Sequence, residues 1–553
     1  MSGAVPQIFP AQQPIPKPPS SAQPPRFLPF FAFLCNFTRA LQLPSSRCPM
    51  SELDLMTKVI SLCKRRGFVF QSSEIYGGLK SSFDYGPLGA ELKRNIAAQW
   101  WRAMVHERED IVGMDGSIIM HPTVWKTSGH LAGFSDPLVD CLNCKERFRA
   151  DKAPKAEPGT KISFPKGGKK GGQLVAGTVP ARGYVCPHCG AGELSDERQF
   201  NLMFRTALGP VDPLDSILDQ IADKAIPRGE LRAKLEAAIQ PSAVYLRPET
   251  AQAMFVQFNN VQQSMSMKVP FGIAQIGKSF RNEITTEHFI FRSCEFEQME
   301  MEFFCEPGTQ AQWLDYWKDA RMNWWQSLAN SKDGFRLRQH AADELAHYAD
   351  NCYDIEYAYP WGWGELEGVA SRTDYDLAKH AEASGVKLSY FDQQKNDPAT
   401  GKPGWRYTPY VIEPAAGLTR GVLVFLIDAY AEEKGIDADG QEKTRVVLKL
   451  NPKLAPYKAA VLPLTKKDGM PEAARKIVAD FHKAGLNASY DEQQSIGKRY
   501  ARHDEIGTPY CLTVDGETLK DECVTIRDRN TTKQERIKIA AALETVKQRV
   551  ENA

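Results

Sequence analysis

The stretch Phe271-Gly-Ile-Ala-Gln-Ile-Gly-Lys-Ser-Phe-Arg-Asn-Glu-Ile284 and its continuation Phe289-Ile-Phe-Arg-Ser-Cys-Glu-Phe-Glu-Gln-Met-Glu-Met-Glu-Phe-Phe304 decide how this chain folds. Two β-prone runs flank a polar loop, which predicts an antiparallel strand pair. Side chains alternate across a strand, so Phe296, Gln298, Glu300 and Glu302 share one face while Glu295, Glu297 and Met299 share the other. Carboxylates are rarely buried without partners. A sheet face that combines them with an aromatic ring and arginine is therefore an unusual core. Taken alone, Arg281 and Arg292 also fit simple ion pairs with these glutamates.

Working outward, 553 residues are too many for one core, so two or more domains are expected. Basic and acidic side chains number 69 and 68, so a nucleic-acid partner has to be held by local patches rather than a global field. Twelve cysteines in so long a chain do not make a secreted disulfide scaffold. They suit a reducing compartment and one metal site. Residues 1–50 are rich in Pro, Gln and Ser and contain no Asp or Glu. A disordered tail, or a start placed too early ahead of Met50, is one reading. A transit peptide is the other, although the prolines oppose its amphipathic helix. The apolar run Phe27 to Phe37 is too short to span a bilayer, which takes roughly 20 residues. No membrane partner is expected.

Asp84-Tyr-Gly-Pro-Leu-Gly89 opens a helix with Pro87 in its first turn. Leu88, Leu92, Ile96, Trp100 and Met104 follow at four-residue spacing; the stripe reads as core, or as a subunit interface because of its tryptophans. The Gly/Lys/Pro-loaded stretch Asp151 to Arg182 reads as a mobile surface loop. Leu214 to Ile239 has the spacing of an inserted helix, and Gln310 to Tyr348 is again helical, part of an insertion near 305–350. After Lys453, strands at Lys458–Leu464, Ala488–Asp491 and Pro509–Val514 alternate with helices at Glu472–Ala484 and from Ser495, which predicts a small α/β domain.

The segment Phe280-Arg-Asn-Glu with its loop and Phe-Glu-Gln-Met-Glu continuation resembles motif 2 of class II aminoacyl-tRNA synthetases. Gly417-Leu-Thr-Arg-Gly-Val resembles their motif 3, and the Gly86-Pro-Leu-Gly helix their motif 1. Ile75-Tyr-Gly-Gly, Leu246-Arg-Pro-Glu-Thr-Ala-Gln, Gly364-Glu-Leu-Glu-Gly and Ile412-Glu-Pro-Ala-Ala-Gly are similar to the homodimeric glycyl-tRNA synthetase family. The resemblance implies an α+β catalytic domain over 51–452, built on a six- to seven-stranded antiparallel sheet, and an α/β anticodon-binding domain over 453–553. It also implies a cytoplasmic homodimer whose partners are glycine, ATP, Mg2+ and tRNA-Gly. An organelle address in the tail is the alternative to the cytoplasm.

By the same resemblance Arg281 and Arg420 are the catalytic arginines, on the α-phosphate with the glycine carboxylate and on the γ-phosphate respectively. Phe296 stacks on adenine and Arg292 lies at the triphosphate. Glu283, Glu295, Glu365 and the backbone of Leu366 contact ATP or its magnesium. Asn282, Phe291, Ser293, Cys294, Gly417, Leu418 and Thr419 complete the ATP site. Glu249, Glu300 and Glu413 are the glycine-binding acids, with Arg149, Phe296, Glu297, Gln298, Met299, Pro414, Ala415, Ala416 and Gly417 around them. Carboxylates suit glycine: they pair with its ammonium and occupy the space a methyl group would need. Many members of the family carry a serine in the segment where this chain has Ala415-Ala416, so a hydroxyl contact is absent or is supplied from elsewhere.

Cys141-x2-Cys144 and Cys186-x2-Cys189 have zinc-knuckle spacing, for a closed structural Zn2+ site spanning an insertion at 141–192. The bland alternative is a degenerate knuckle that binds no metal. Lys498, Arg499, Arg502, His503, Arg527 and Arg529 are either a tRNA-facing patch or an ordinary solvated face. Two functional alternatives stand beside glycine–tRNA ligation: a related class II synthetase for another small amino acid, and a non-enzymatic binding protein on the same scaffold. The second has no reason to keep Arg281, Glu283, Phe296 and Arg420 together.

Overall fold

The strand pair predicted from residues 271–304 is the centre of a seven-stranded sheet in the computed structural model, which describes residues 52–553 apart from 80, 170, 211–214, 216–217, 219–225 and 437–441. The tail expectations for 1–50, and part of the expected helix from Leu214, lie outside the described residues. Its strands are β1 (Ile111–Gly113), β2 (Phe271–Phe280), β3 (Glu295–Cys305), β4 (Phe335–Gln339), β5 (Asn351–Tyr359), β6 (Gly362–Thr373) and β7 (Tyr410–Gly417). Their order is β4-β5-β6-β7-β3-β2-β1. Every pair is antiparallel except β1 with β2, so the expected wholly antiparallel sheet acquires one parallel edge. The register sets Glu300 opposite Gln275 on one side and Ala415 on the other, and Gly368 opposite Ala415.

Period-two alternation gives the sheet two different faces. Met299, Met301 and Phe303 of β3 point into the main core, against the helices α1 (Pro87–Trp101), α2 (Gln310–Leu328) and α3 (Leu418–Ala429). The stripe Leu88, Leu92, Ile96, Trp100 and Met104 is buried in this core within a single chain, which removes it as a subunit interface. Each fully buried apolar side chain of this size contributes about 1.5–3 kcal/mol. Phe304, from the opposite face, packs in a second core with Phe255, Phe258, Phe271 and Leu377. The site lies on this second side, where Phe296, Gln298 and Glu300 precede Phe304.

Three expectations change. The helix from Gln310 stops at Leu328, and the chain returns as β4 rather than continuing helical to Tyr348; within it Trp317 and Trp325 are buried while Trp313 and Trp324 are half-buried. The Gly/Lys-rich stretch contains a hairpin, Lys161–Pro165 with Leu174–Thr178, because Phe164 is buried and Ile162 and Val175 pack beside it. The supposed basic patch is mostly internal. Arg527 pairs with Asp504 at 2.9 Å, Arg529 donates to the carbonyls of Gly507 and Leu450 at 2.6 Å each, and Arg499 and His503 are buried.

The C-terminal five-stranded sheet has the order Ala488–Tyr490, Ala459–Pro463, Tyr510–Val514, Cys523–Asp528, Gln534–Lys538. Its first three strands are parallel and match the predicted alternation with helices Met470–Lys483 and Ile496–Glu505. The closing antiparallel pair and the helix Ile539–Glu551 went unpredicted.

Candidate active site

A cavity of about 230 Å3 opens over the β3–β7–β6 surface. Motif-2 residues reach it from β2 and β3, and α3 begins at its rim just after Gly417. A Cβ at Gly417 would meet the Arg420 side chain at 3.2 Å, so glycine lets this arginine lie back over the strand end.

One end of the cavity is cationic and aromatic. Arg281 follows β2, donates through Nε to the Pro248 carbonyl at 3.1 Å and stands 5.3 Å over the Phe296 ring. Arg420 stands 4.5 Å over Phe291 and reaches the Glu365 carboxylate at 3.2 Å. That arginine holds the Glu365 carboxyl below its ordinary range. Arg292, Ser293, Glu283 and Thr419 also line this end, and Glu283 Oε2 is a buried acceptor with no hydrogen-bond donor among the described residues.

The other end holds Glu249, Glu300 and Glu413 together. Glu300 accepts from the Thr250 amide at 2.9 Å, and also from the Thr250 hydroxyl and Gln298. Glu249 lies 3.3 Å from His130 Nε2 and accepts from Gln252 at 3.0 Å. Glu413 accepts from Arg372 at 2.8 Å. Burial pushes Glu413 up to about 8; Arg372 opposes this, and Glu300 and Glu249 reinforce it. Burial and then Glu249 raise Glu300. Glu249 goes the other way: burial would raise it, but His130 carries it well below the usual carboxylate range. Beneath them Glu302 is fully buried, and neither oxygen has a hydrogen-bond partner among the described residues. Burial, and then the neighbouring Glu413, push its carboxyl well above its ordinary range. This nest thus combines an ionised Glu249 with acids that readily carry protons, which suits an incoming ammonium group.

Several residues expected at the site lie outside the lining of the cavity. Glu295 pairs with Lys278 and Glu297 with Lys93 on the far face of β3, and Met299 lies in the main core. Leu366 and Leu418 are buried in that core, and Pro414 alternates away from Glu413 and Ala415. Asn282 gives its amide to the Leu202 carbonyl and Cys294 gives its amide to that of Ser81. Arg149 is held by Asp136 at 2.7 Å and Asp151 at 2.8 Å, on a separate three-stranded sheet. Ala415 does line the cavity, and the hydroxyls there come from Ser293, Tyr348 and Thr419.

Sequence reading missed Thr250, Tyr348, Gly368 and Arg372. Arg372 was the most legible of them, a lone charge ending the apolar strand Gly-Val-Ala-Ser-Arg. It is 2% exposed and stacks 3.9 Å over Tyr348.

The four cysteines of the two knuckles converge, with their Sγ atoms within 4.8 Å of one another. Cys141 to Cys189 and Cys144 to Cys186 are each 3.7 Å apart. A zinc tetrathiolate with Zn–S of about 2.3 Å has tetrahedral edges of about 3.8 Å, so the residues fit that ion.

The "Anticodon binding domain" family matches residues 458–549, the region of the C-terminal sheet. Along nearly its whole described length the chain is similar to proteins named glycine–tRNA ligase. It is 47% identical to that of Treponema denticola over 497 residues, covering 90% of this chain and 97% of the relative. The relative from Thermobifida fusca is 47% identical over 88% of this chain and 96% of its own. That from Acetivibrio thermocellus is 49% identical, with the same two coverages. With identity of this order sustained through both sheets, and with an arginine-and-acid cavity of this composition, the chain belongs to the glycine–tRNA ligase family of class II aminoacyl-tRNA synthetases.

Proposed function

We propose that the cavity over β3 activates glycine with ATP to glycyl-adenylate and then transfers the glycyl group to the 3′ end of tRNA-Gly. The carrying observation is a single cavity with two arginines at one end and three carboxylates at the other. The glycine carboxylate oxygen attacks the α-phosphorus, an O–P bond forms, and the bond to the leaving pyrophosphate breaks. No proton need move in this step, so the protein's task is in-line placement and neutralisation of phosphate charge. In the second step a ribose hydroxyl of the tRNA attacks the glycyl carbonyl, loses its proton and displaces AMP. Arg281 serves the α-phosphate and the glycine carboxylate, Arg420 the γ-phosphate, and Phe296 the adenine face. Glu283, with its unpartnered oxygen, and Glu365 supply hard oxygen donors that would hold Mg2+, which when bound neutralises phosphate oxygens. Glu249, Glu300 and Glu413 grip the ammonium and leave no room for a side chain. Pyrophosphate exchange measured with glycine, alanine, serine and proline tests this: exchange with glycine alone supports it, and equal exchange with alanine overturns the pocket assignment.

The charge state of the nest gives a pH signature. An acid pushed up to about 8 carries a proton in the empty site near neutrality, and the ammonium must displace it. Glycine KM should therefore fall as pH rises toward about 8, by up to about tenfold per unit for one displaced proton, and then level off. ATP KM should not follow it. A glycine KM that rises over the same range rejects this account of the nest.

Further parts of the reading concern the rest of the chain. Residues 51–452 form the catalytic domain and 453–553 the anticodon-binding domain. The four-cysteine knuckle holds one structural Zn2+, and elemental analysis should give one zinc per chain, lost in Cys186→Ser with activity reduced through stability rather than chemistry. Wild type stripped of zinc that keeps the stability and activity of the zinc-loaded protein would overturn it. The enzyme acts as a homodimer in the cytoplasm; among the described residues no helix is long and apolar enough to cross a membrane.

A further inference from the structure

Glu249 and Glu413 reach the cavity from elements that are not neighbours: Glu249 from the loop before the helix Ala251–Val256, Glu413 from β7. A buried chain of side chains joins them. Gln252 Nε2 donates to Glu249 Oε1 at 3.0 Å and to Asp376 Oδ1 at 2.9 Å. Asp376 accepts from Arg372 Nε at 2.9 Å and Nη2 at 3.1 Å, and Arg372 Nη1 donates to Glu413 at 2.8 Å. At the far end His380 Nε2 lies 2.8 Å from Gln252 Oε1. Gln252 is fully buried, with Asp376 and Arg372 each 2% exposed.

A primary amide is well suited to this node. Its two N–H groups serve two carboxylates without adding charge, and its oxygen accepts from the imidazole, which fixes the orientation of the amide. An apolar residue of similar size would leave both carboxylates short of a donor, and a carboxylate would add a third negative group between them. We propose that Gln252 is a positioning residue that sets the spacing of Glu249 against Glu413 and thereby the glycine affinity and selectivity of the site. The inference rests on the reading of these acids as the ammonium nest.

The experiment compares wild type, Gln252→Leu, Gln252→Glu and His380→Phe in pyrophosphate exchange, with glycine, ATP and alanine varied separately and melting temperature recorded. Loss of a supporting contact to a ligand-binding group costs on the order of 10–100-fold. Glycine KM should rise by about that factor in both Gln252 variants, with ATP KM and kcat changed by less than about threefold, and alanine should become a better competitor. His380→Phe, which keeps Gln252 but frees its amide to turn, should raise glycine KM in the same direction by less. A loss confined to kcat, or a parallel rise in both KM values, overturns the proposal, since a general structural defect produces either. If the Gln252 variants do not fold, His380→Phe decides: glycine KM within about twofold of wild type rejects the proposal. Absence of glycine-dependent exchange in the wild type would instead defeat the functional reading, so the two failures are distinguishable.

Discussion

Arg281→Ala is expected to lower glycine-dependent pyrophosphate exchange by about a thousandfold while the melting temperature moves little. The reasons are geometric. Arg281 lines the cationic end of the cavity with its guanidinium over Phe296. Its protein contacts are few: one Nε bond to the Pro248 carbonyl, and stacking on Phe296 and Phe134 at 5.3 Å each. Among the described residues it forms no ion pair with a carboxylate, so its removal takes no ion-pair partner from a buried acid. A permanently charged, bidentate donor is matched to phosphate and carboxylate oxygens. Arg281→Lys keeps the charge but not the fork, and should recover only part of the rate. Wild-type exchange in Arg281→Ala would remove this arginine from the chemistry.

Arg372→Ala is expected to act in the opposite way, with a large loss of stability of about 3–5 kcal/mol that grows with pH. Arg372 is buried and ties Asp376 and Glu413 together, while Glu302 lies close by with no hydrogen-bond partner among the described residues. Deleting it leaves a cluster of acids around no cation. Part of the strain is relieved by protonation, which sets the sign. A carboxyl whose folded-state pKa is raised contributes stability that is present at low pH and lost as pH rises through that pKa. Glu413 is already pushed up to about 8, mainly by burial, and Arg372 is what opposes the rise. Without Arg372 it must go higher. The fall in melting temperature relative to wild type should therefore be smaller at pH of about 5.5 than at about 8. Equal falls at both pH values would show that the carboxylates do not carry the effect.

Much of the site could be read from local pattern. The alternation in Glu295–Cys305 assigns Phe296, Gln298 and Glu300 to one face, and the structure lines the cavity with those three while Glu295 and Glu297 turn to Lys278 and Lys93. The same alternation excludes Met299, which had been expected around the glycine through its place in the motif. The helix stripe from Leu88 was equally legible, but its role was not: period 3.6 marks an apolar face and does not say whether the chain or a second copy covers it. Here the chain covers it. The Gly/Lys-rich stretch failed as a loop because composition outweighed the three apolar residues that hold its hairpin on the cysteine knuckle.

The resemblance of its motifs pointed to the arginines and acids of the cavity; by itself the sequence determined the strand pair, its two faces and the spacing of the two cysteine knuckles. These depend on residues close in sequence, where backbone periodicity alone sorts the side chains. Only the tertiary structure decided which buried groups stand between them. Gln252, Arg372, Asp376 and His380 come from a helix start, a strand end and another helix, more than a hundred residues apart at the extremes. Their roles arise from hydrogen bonds between distant segments inside a low-dielectric interior, where an unpaired charge is costly and a bridging amide or guanidinium is decisive. No local pattern records such a bond. The site on Phe280 to Glu302 is thus written in the strand, and its electrostatic balance is written in the packing beneath it.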